Sequence, residues 1–174
     1  MEYKYDIALS FATENQELVE KVYHYLKQEG LSVFFAPAQE CQSVVSAEHH
    51  SDIFYNIFGK QSRYVALFVS KDYIIKEVPM EEASIAFAKH GNNGTVVPIY
   101  LDGTNLPEAL FNPKRTSYFS SNNAAMIAAH LADKITPVKE KEKEKNSKSH
   151  NTMNISGNIG KKQIFIQEMK GNIT

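Results

Sequence analysis

The stretch that decides the fold is Arg63-Tyr64-Val65-Ala66-Leu67-Phe68-Val69-Ser70. All residues from 64 to 69 carry apolar or aromatic side chains, so the segment has no polar face to turn toward water. A strand in the middle of a parallel sheet, covered by helices on both faces, has this character. The run therefore predicts the central strand of a parallel α/β sheet.

On either side of this run, shorter apolar segments alternate with segments of helical period, which is typical of repeated β-α units. The other strands are predicted at residues 5–11, 32–35, 95–100 and 116–119. Helix boundaries are predicted at Thr13, where Thr13 and Gln16 resemble a capping box, at Gly59 as a helix end and at Pro79 as a first helical residue. Residues 36–46 are predicted as a loop. Together these features predict a flavodoxin-like five-stranded parallel sheet, in the order 2-1-3-4-5, with helices on both faces.

Charge and cysteine content limit the partners. The chain has 174 residues, with 19 Lys plus Arg against 20 Asp plus Glu, so there is no excess of positive charge for a phosphate backbone and we expect no direct nucleic-acid binding. Cys41 is the one cysteine, which excludes an intrachain disulfide framework and favours a reducing compartment. No signal peptide or apolar run long enough to span a membrane is seen. We therefore expect a cytoplasmic protein with no membrane contact.

Composition divides the chain into three parts. A globular domain is expected over residues 1–136. Residues 137–150, rich in Lys and Glu, are predicted to be a charged flexible linker. Residues 151–174 contain Gly-Asn-Ile twice with alternating apolar residues between, and predict a short β-prone tail that breaks off at the last residue. The tail has two interpretations, a truncated segment or the start of a repetitive β element. A further hypothesis is that its strands pair between chains.

The predicted strand order locates a site. Ligands of open parallel sheets bind at the carboxyl ends of the strands where the order reverses, which is between strands one and three. The loops that meet there are 10–13 and 70–73, with Glu81 and Glu82 close behind. Neither a dinucleotide fingerprint nor a P-loop is present in the chain. The edge therefore offers hydroxyls, aromatic rings and carboxylates.

Two other candidate sites are weaker. His49 and His50 are adjacent, so on a helix they point about 100° apart, and no carboxylate-histidine pair at i, i+4 accompanies them. We therefore expect no metal site. No feature of the sequence brings a histidine to Cys41, which favours a structural thiol over a nucleophile.

These segments resemble a Toll/interleukin-1 receptor (TIR) domain of the bacterial type, over about residues 3–136. The resemblance is carried by residues 5–12 (YDIALSFA), by 30–35 (GLSVFF) and by Ser70-Lys71-Asp72-Tyr73 followed by Glu82. The chain differs from many TIR enzymes in having Val78 where they often carry a tryptophan four residues before the glutamate.

The resemblance implies an enzyme that cleaves the nicotinamide ribosyl bond of NAD, with NAD as substrate and no separate cofactor. In such domains the catalytic glutamate follows the serine that closes strand three by twelve residues, which gives Glu82 here. The products implied are nicotinamide and ADP-ribose or a cyclic isomer. The implied substrate-binding residues are Ser10, Phe11, Thr13, Phe35, Ser70 and Tyr73. The resemblance also implies activation by filament-like self-association, an unknown activating sensor or ligand, and a role in bacterial antiphage defence.

Alternatives stay open at this point. Acidic residues are favoured in the first turn of any helix, so Glu81 and Glu82 also fit a purely structural role. A non-enzymatic TIR adaptor that signals by homotypic association is the second hypothesis. A TIR enzyme that makes a nucleotide messenger for a separate effector is the third, and it shares the chemistry of the first.

Overall fold

The computed structural model describes residues 3–45, 50–91, 93–111, 119–141 and 145. The chain divides into two compact units, Met1–Asp133 and Lys134–Thr174. In the described part of the chain, no helix combines the length and the apolar character that a membrane crossing requires.

The first unit contains one parallel sheet of five strands in the order β2-β1-β3-β4-β5. The strands are β1 (Tyr5–Phe11), β2 (Val33–Phe34), β3 (Ser62–Val69), β4 (Val96–Tyr100) and β5 (Phe119–Ser120). The central position of β3 follows from its composition, because all of its residues but Arg63 are buried. The predicted fold class and strand order are confirmed. Residues 116–118 of the predicted fifth strand lie outside the described residues.

Among the described residues of the first unit, five helices are interspersed with the first four strands, and residues 124–133 are helical as well. They are α1 (Gln16–Gln28), α2 (Gln39–Val45), α3 (His50–Asn56), α4 (Lys71–Ile75) and α5 (Glu77–His90). Neither α2 nor α4 is predicted from the sequence. Helix α2 lies inside the predicted loop 36–46. Its apolar side chains Cys41, Val44 and Val45 pack on the core, but a helix of seven residues is too short for its period to stand out in the sequence.

The prediction that Gly59 ends a helix is wrong. The chain passes through Gly59 in a π-helical turn, Ile57–Gln61, before β3 begins. A Cβ at Gly59 would come within 3.0 Å of Lys89 Cγ and 3.4 Å of Ile85 Cγ2. The glycine therefore allows close approach of this turn to α5 and does not end a helix.

The predicted boundaries at Thr13 and Pro79 also need correction. A 3-10 turn, Thr13–Asn15, precedes α1, and neither its N-cap Ala12 nor the N-cap of α1 makes a side-chain capping bond. The capping box is therefore not formed. Helix α5 begins two residues before Pro79, which is tolerated because the N–H groups of a first helical turn have no partner within the helix.

A buried carboxylate fastens the edge strand to the sheet. Asp6 of β1 accepts hydrogen bonds from the Ser32 backbone N–H at 2.7 Å and from the Ser32 hydroxyl at 2.8 Å. The Asp6 N–H in turn donates to the Ser32 carbonyl at 2.8 Å. Because β2 pairs over only two residues, these bonds hold it in register.

The second unit is described only over its first residues. Residues 134–141 are helical, so the segment predicted as a flexible linker from residue 137 begins with helical turns. Lys and Glu have high helix propensity, so a run of them can continue a helix without burying an apolar face. The predicted tail 151–174 lies outside the described residues.

Candidate active site

The candidate site lies at the carboxyl ends of β1 and β3, where the strand order reverses. Ser10 and Phe11 close β1, and in the sheet register they are opposite Leu67 and Phe68 of β3. Helix α4 begins directly after β3 and contributes Tyr73, and α5 contributes Glu82. These residues therefore meet at the edge of the sheet where the sequence analysis predicts a site.

Ser10, Tyr73 and Glu82 form one hydrogen-bonded group. When the carboxyl is ionised, the Ser10 hydroxyl donates to Glu82 Oε2 at 2.5 Å, and Ser10 Oγ lies 2.7 Å from the Tyr73 hydroxyl. Tyr73 Oη donates to the Pro79 carbonyl at 2.9 Å. The three side chains are 1%, 0% and 9% exposed, respectively. Residues that are 63 and 72 positions apart in sequence are thus brought together in a dry environment.

Burial sets the protonation of this group. Desolvation raises the pKa of Glu82 from 4.5 to about 8, the Ser10 hydrogen bond opposes this increase, and the charge of Glu81 adds to it. Burial also raises the pKa of Tyr73 well above 10, so Tyr73 stays a neutral hydroxyl. A carboxyl group in such surroundings interacts strongly with a cation that enters beside it, because little water is present to screen the charge.

Ser70 connects the two strand ends. Its hydroxyl caps α4 by accepting the Tyr73 N–H at 3.2 Å, and donates to Asn15 Oδ1 of the 3-10 turn at 2.8 Å. Lys76, between α4 and α5, forms an exposed ion pair with Glu14 of the same turn, with contacts of 2.5 and 2.7 Å. These contacts fix the loop after β1 against the segment after β3.

Three aromatic rings are stacked at the end of β1. Phe35 lies between Phe11 and Tyr23, with ring centroids 5.4 and 5.1 Å away and interplanar angles of 26° and 25°. Phe35 is only 2% exposed, whereas Phe11 is half-buried. Phe35 is therefore buried in an aromatic cluster and packs against the more accessible ring of Phe11. Contact of Phe11 and Phe35 with a nucleotide stays a prediction.

The remaining predicted residues differ in accessibility. Thr13 is exposed at the rim, in the turn after β1. Val78, at the position where related enzymes often have tryptophan, is 44% exposed. Asn15, Lys76 and the Pro79 carbonyl belong to the site but were not predicted. Asn15 lies next to the loop that the strand order indicates, and the other two have no signal in the sequence.

Other candidate sites gain nothing from the structure. The side chains of His49 and His50 lie outside the described residues. Cys41 is a free, buried cysteine, and burial raises the pKa of its thiol, which lowers its reactivity. Among the described residues, no group of three His, Cys, Asp or Glu side chains could hold a metal ion.

Comparison with known proteins agrees with this architecture. A family profile described as TIR domain matches residues 7–136. The match extends over most of the chain and includes β1 from Ile7 onward, the other four strands and the Ser10–Tyr73–Glu82 group. The chain therefore belongs to the TIR domain family.

One curated relative is the 3' cyclic ADP-D-ribose synthase AaTIR of Aquimarina amphilecti, 32% identical over 123 residues. The match covers 70% of this chain but 36% of that protein, so the chain spans about a third of its relative's length.

Solved structures show the same fold at lower identity. The TIR domain of the Toll-related receptor TRR-2 of Hydra magnipapillata has a TM-score of 0.54 at 14% identity, and covers 67% of this chain and 83% of that one. A TIR-STING receptor from C. gigas has a TM-score of 0.55 at 19% identity, and covers 74% of this chain and 40% of that one.

Proposed function

We propose that this chain is a TIR-domain NAD glycohydrolase in which Glu82 is the catalytic carboxylate. The observation that carries the proposal is a buried glutamate at the switch point of the sheet, bonded to Ser10 at 2.5 Å. Its support from comparison is the relative named for a cyclic ADP-ribose product. The activity of this chain itself is the subject of the experiment below.

The chemistry explains why one carboxylate can suffice. The bond that breaks joins C1' of the ribose to the nicotinamide nitrogen, and its electron pair stays with the nitrogen. Nicotinamide is cationic within NAD and leaves as a neutral base, so no general acid is needed. The charge that needs stabilising is the oxocarbenium-like ribose. Water captures this cation, and releases a proton, to give ADP-ribose, or a nucleophile of the same molecule captures it to give a cyclic isomer.

The size of the effect follows from the charge. A carboxylate about 4 Å from the developing cation, at an effective dielectric constant near 20, stabilises it by roughly 4 kcal/mol. This corresponds to about three decades in rate. We therefore expect Glu82→Gln to lower the turnover roughly a thousandfold.

The other side chains have distinct proposed roles. Phe11 and Thr13 have exposed surface at the edge of the crevice and are proposed to contact NAD directly. Ser10 contacts the carboxyl and, when that carboxyl turns toward substrate, is free to donate to a ribose oxygen. Ser70, Tyr73 and Phe35 are buried against protein partners and act by holding the first set in position.

We further propose that self-association activates the enzyme in the bacterial cytoplasm, in response to a phage-linked sensor or ligand. Two apolar side chains beside the site, Ile75 and Val78, are 76% and 44% exposed and offer a surface for a second copy. The same surface is what the alternative, a TIR adaptor acting only by homotypic association, would use. A plaque assay on bacteria that express wild type or Glu82→Gln separates the two, since only the adaptor would protect cells with either form.

The direct test is nicotinamide release from NAD by concentrated protein, followed by chromatography. Wild type should release nicotinamide, Glu82→Gln should lose the activity, and Glu81→Gln should keep it, because Glu81 lies next in sequence outside the hydrogen-bonded group. Equal release by wild type and Glu82→Gln would refute the assignment. The retention time of the second product distinguishes ADP-ribose from a cyclic isomer.

A further inference from the structure

Three oxygen–oxygen contacts run in series through the site. Glu82 Oε2 is 2.5 Å from Ser10 Oγ, Ser10 Oγ is 2.7 Å from Tyr73 Oη, and Tyr73 Oη is 2.9 Å from the Pro79 carbonyl. All three distances lie within the range of true hydrogen bonds. Each contact therefore needs one proton between its two oxygens.

Counting protons distinguishes the two states of Glu82. If the carboxyl is ionised, only the hydroxyls of Ser10 and Tyr73 supply protons, and one of the three contacts is left with two facing lone pairs. If the carboxyl is protonated, three protons serve three contacts. Glu82 then donates to Ser10, Ser10 donates to Tyr73, and Tyr73 donates to the Pro79 carbonyl.

The surroundings favour the protonated state as well. Ser10 from β1 and Tyr73 from α4 face the carboxyl, and neither carries a positive charge. On its own helix the charge that acts on it is that of Glu81, which raises the pKa of Glu82 further. The nearby cation Lys76 is exposed and paired with Glu14. None of these four groups places a positive charge beside Glu82 that would stabilise its carboxylate.

We propose that Tyr73 is a positioning residue which, through Ser10, keeps the Glu82 carboxyl protonated in the resting protein. Because the Tyr73 hydroxyl donates its hydrogen bond to the Pro79 carbonyl, it presents a lone pair to Ser10. Ser10 then turns its proton toward Tyr73 and its lone pair toward Glu82. This deepens the proposed function and rests on it, since the same carboxyl must be ionised to stabilise a cation.

Two substitutions should have opposite effects. In Tyr73→Phe the protonated chain loses its acceptor for Ser10, while the ionised carboxyl still receives the Ser10 proton. The pKa of Glu82 should therefore fall, by about one unit, the equivalent of one hydrogen bond. In Ser10→Ala the carboxylate loses its hydroxyl donor, so the pKa of Glu82 should rise. If the substitutions merely loosened the site, water would enter, hydrate the carboxylate and lower the pKa of Glu82 in both variants.

The experiment is a pH titration of the full chain, labelled with ¹³C at the glutamate side-chain carboxyl and observed by NMR without NAD. The Glu82 resonance is assigned by its loss in Glu82→Gln. It should titrate near pH 8 in wild type, as the raised pKa indicates, at lower pH in Tyr73→Phe and at higher pH in Ser10→Ala. Tyr5→Phe, a buried tyrosine at the opposite end of β1, is the matched control and should titrate as wild type.

A wild-type resonance that titrates with the exposed glutamates overturns the proposal. An unchanged or raised titration in Tyr73→Phe overturns the role of Tyr73. If Tyr73→Phe does not fold, the wild-type titration is the deciding measurement. A lowered titration in Ser10→Ala would show that loosening of the site alone lowers the pKa, and would also overturn the proposal. Since NAD is absent, the titration does not depend on activity. If Glu82 titrates as expected in all variants but the protein never releases nicotinamide, this inference is supported and only the proposed function is refuted.

Discussion

The raised pKa of Glu82 should make the free energy of unfolding depend on pH. Desolvation raises the pKa of Glu82 to about 8 in the folded chain, against an ordinary value of 4.5. Below pH 4.5 both the folded and the unfolded chain hold the proton. Between the two values only the folded chain holds it, so the free energy of unfolding falls as the pH rises, and above about pH 8 this contribution is constant.

The size of this change in the unfolding free energy follows from the difference between the two pKa values of Glu82, 4.5 and about 8. Each unit of pKa shift corresponds to about 1.4 kcal/mol, so the interval amounts to roughly 5 kcal/mol in wild type. Glu82→Gln resembles the neutral acid in size and has no proton to lose. It should match wild type near the lower limit and become more stable than wild type as the pH rises, by an amount that grows to several kcal/mol.

The assay is urea unfolding of both proteins at pH values from about 5 to about 9, with the difference in unfolding free energy plotted against pH. Taking the difference removes the titration of groups that both proteins share. Glu81→Gln keeps the Glu82 carboxyl and removes only the last-named cause of its raised pKa, so it is the control, and its difference should change with pH far less than that of Glu82→Gln. A flat difference for Glu82→Gln would mean that Glu82 titrates alike in both states, and would refute the reasoning.

Other predictions concern the aromatic stack and the edge strand. Phe35→Ala removes a buried ring that stacks on Phe11 and Tyr23, and should lower the unfolding free energy by about 3–5 kcal/mol in urea unfolding. Phe11→Ala should cost less stability but raise the KM for NAD in the nicotinamide assay, and equal effects in both assays would contradict the division of roles. Ser32→Ala removes a hydroxyl bonded to buried Asp6 and should lower the unfolding free energy by about 1–3 kcal/mol. It should leave NAD cleavage unchanged, so a loss of activity would show that β2 matters to the site.

The fold follows from the sequence because burial dictates it directly. An apolar run such as residues 64–69 has few places in a water-soluble fold other than the centre of a parallel sheet. The strand order then predicts which loops meet, and Ser10, Tyr73 and Glu82 do meet there. The sequence predicts these residues as neighbours at one edge, and the resemblance to TIR domains implies their roles.

The rest depends on tertiary contacts that local patterns do not record. Gly59 has the character of a helix end in sequence, and only the approach of Lys89 and Ile85 explains it. Phe35 has the same local signal as Phe11, and its burial depends on Tyr23 from α1. The raised pKa of Glu82 arises from desolvation and from Glu81, and a sequence pattern gives no measure of the first.

The most direct test of the central claim is the pH dependence of kcat/KM for nicotinamide release, measured on concentrated protein from about pH 6 to about pH 9. This ratio reports the groups of the free enzyme. We predict an increase with pH that levels off near pH 8, where the pKa of Glu82 lies, and loss of release at every pH in Glu82→Gln. Release by Glu82→Gln with the wild-type pH profile would contradict the account.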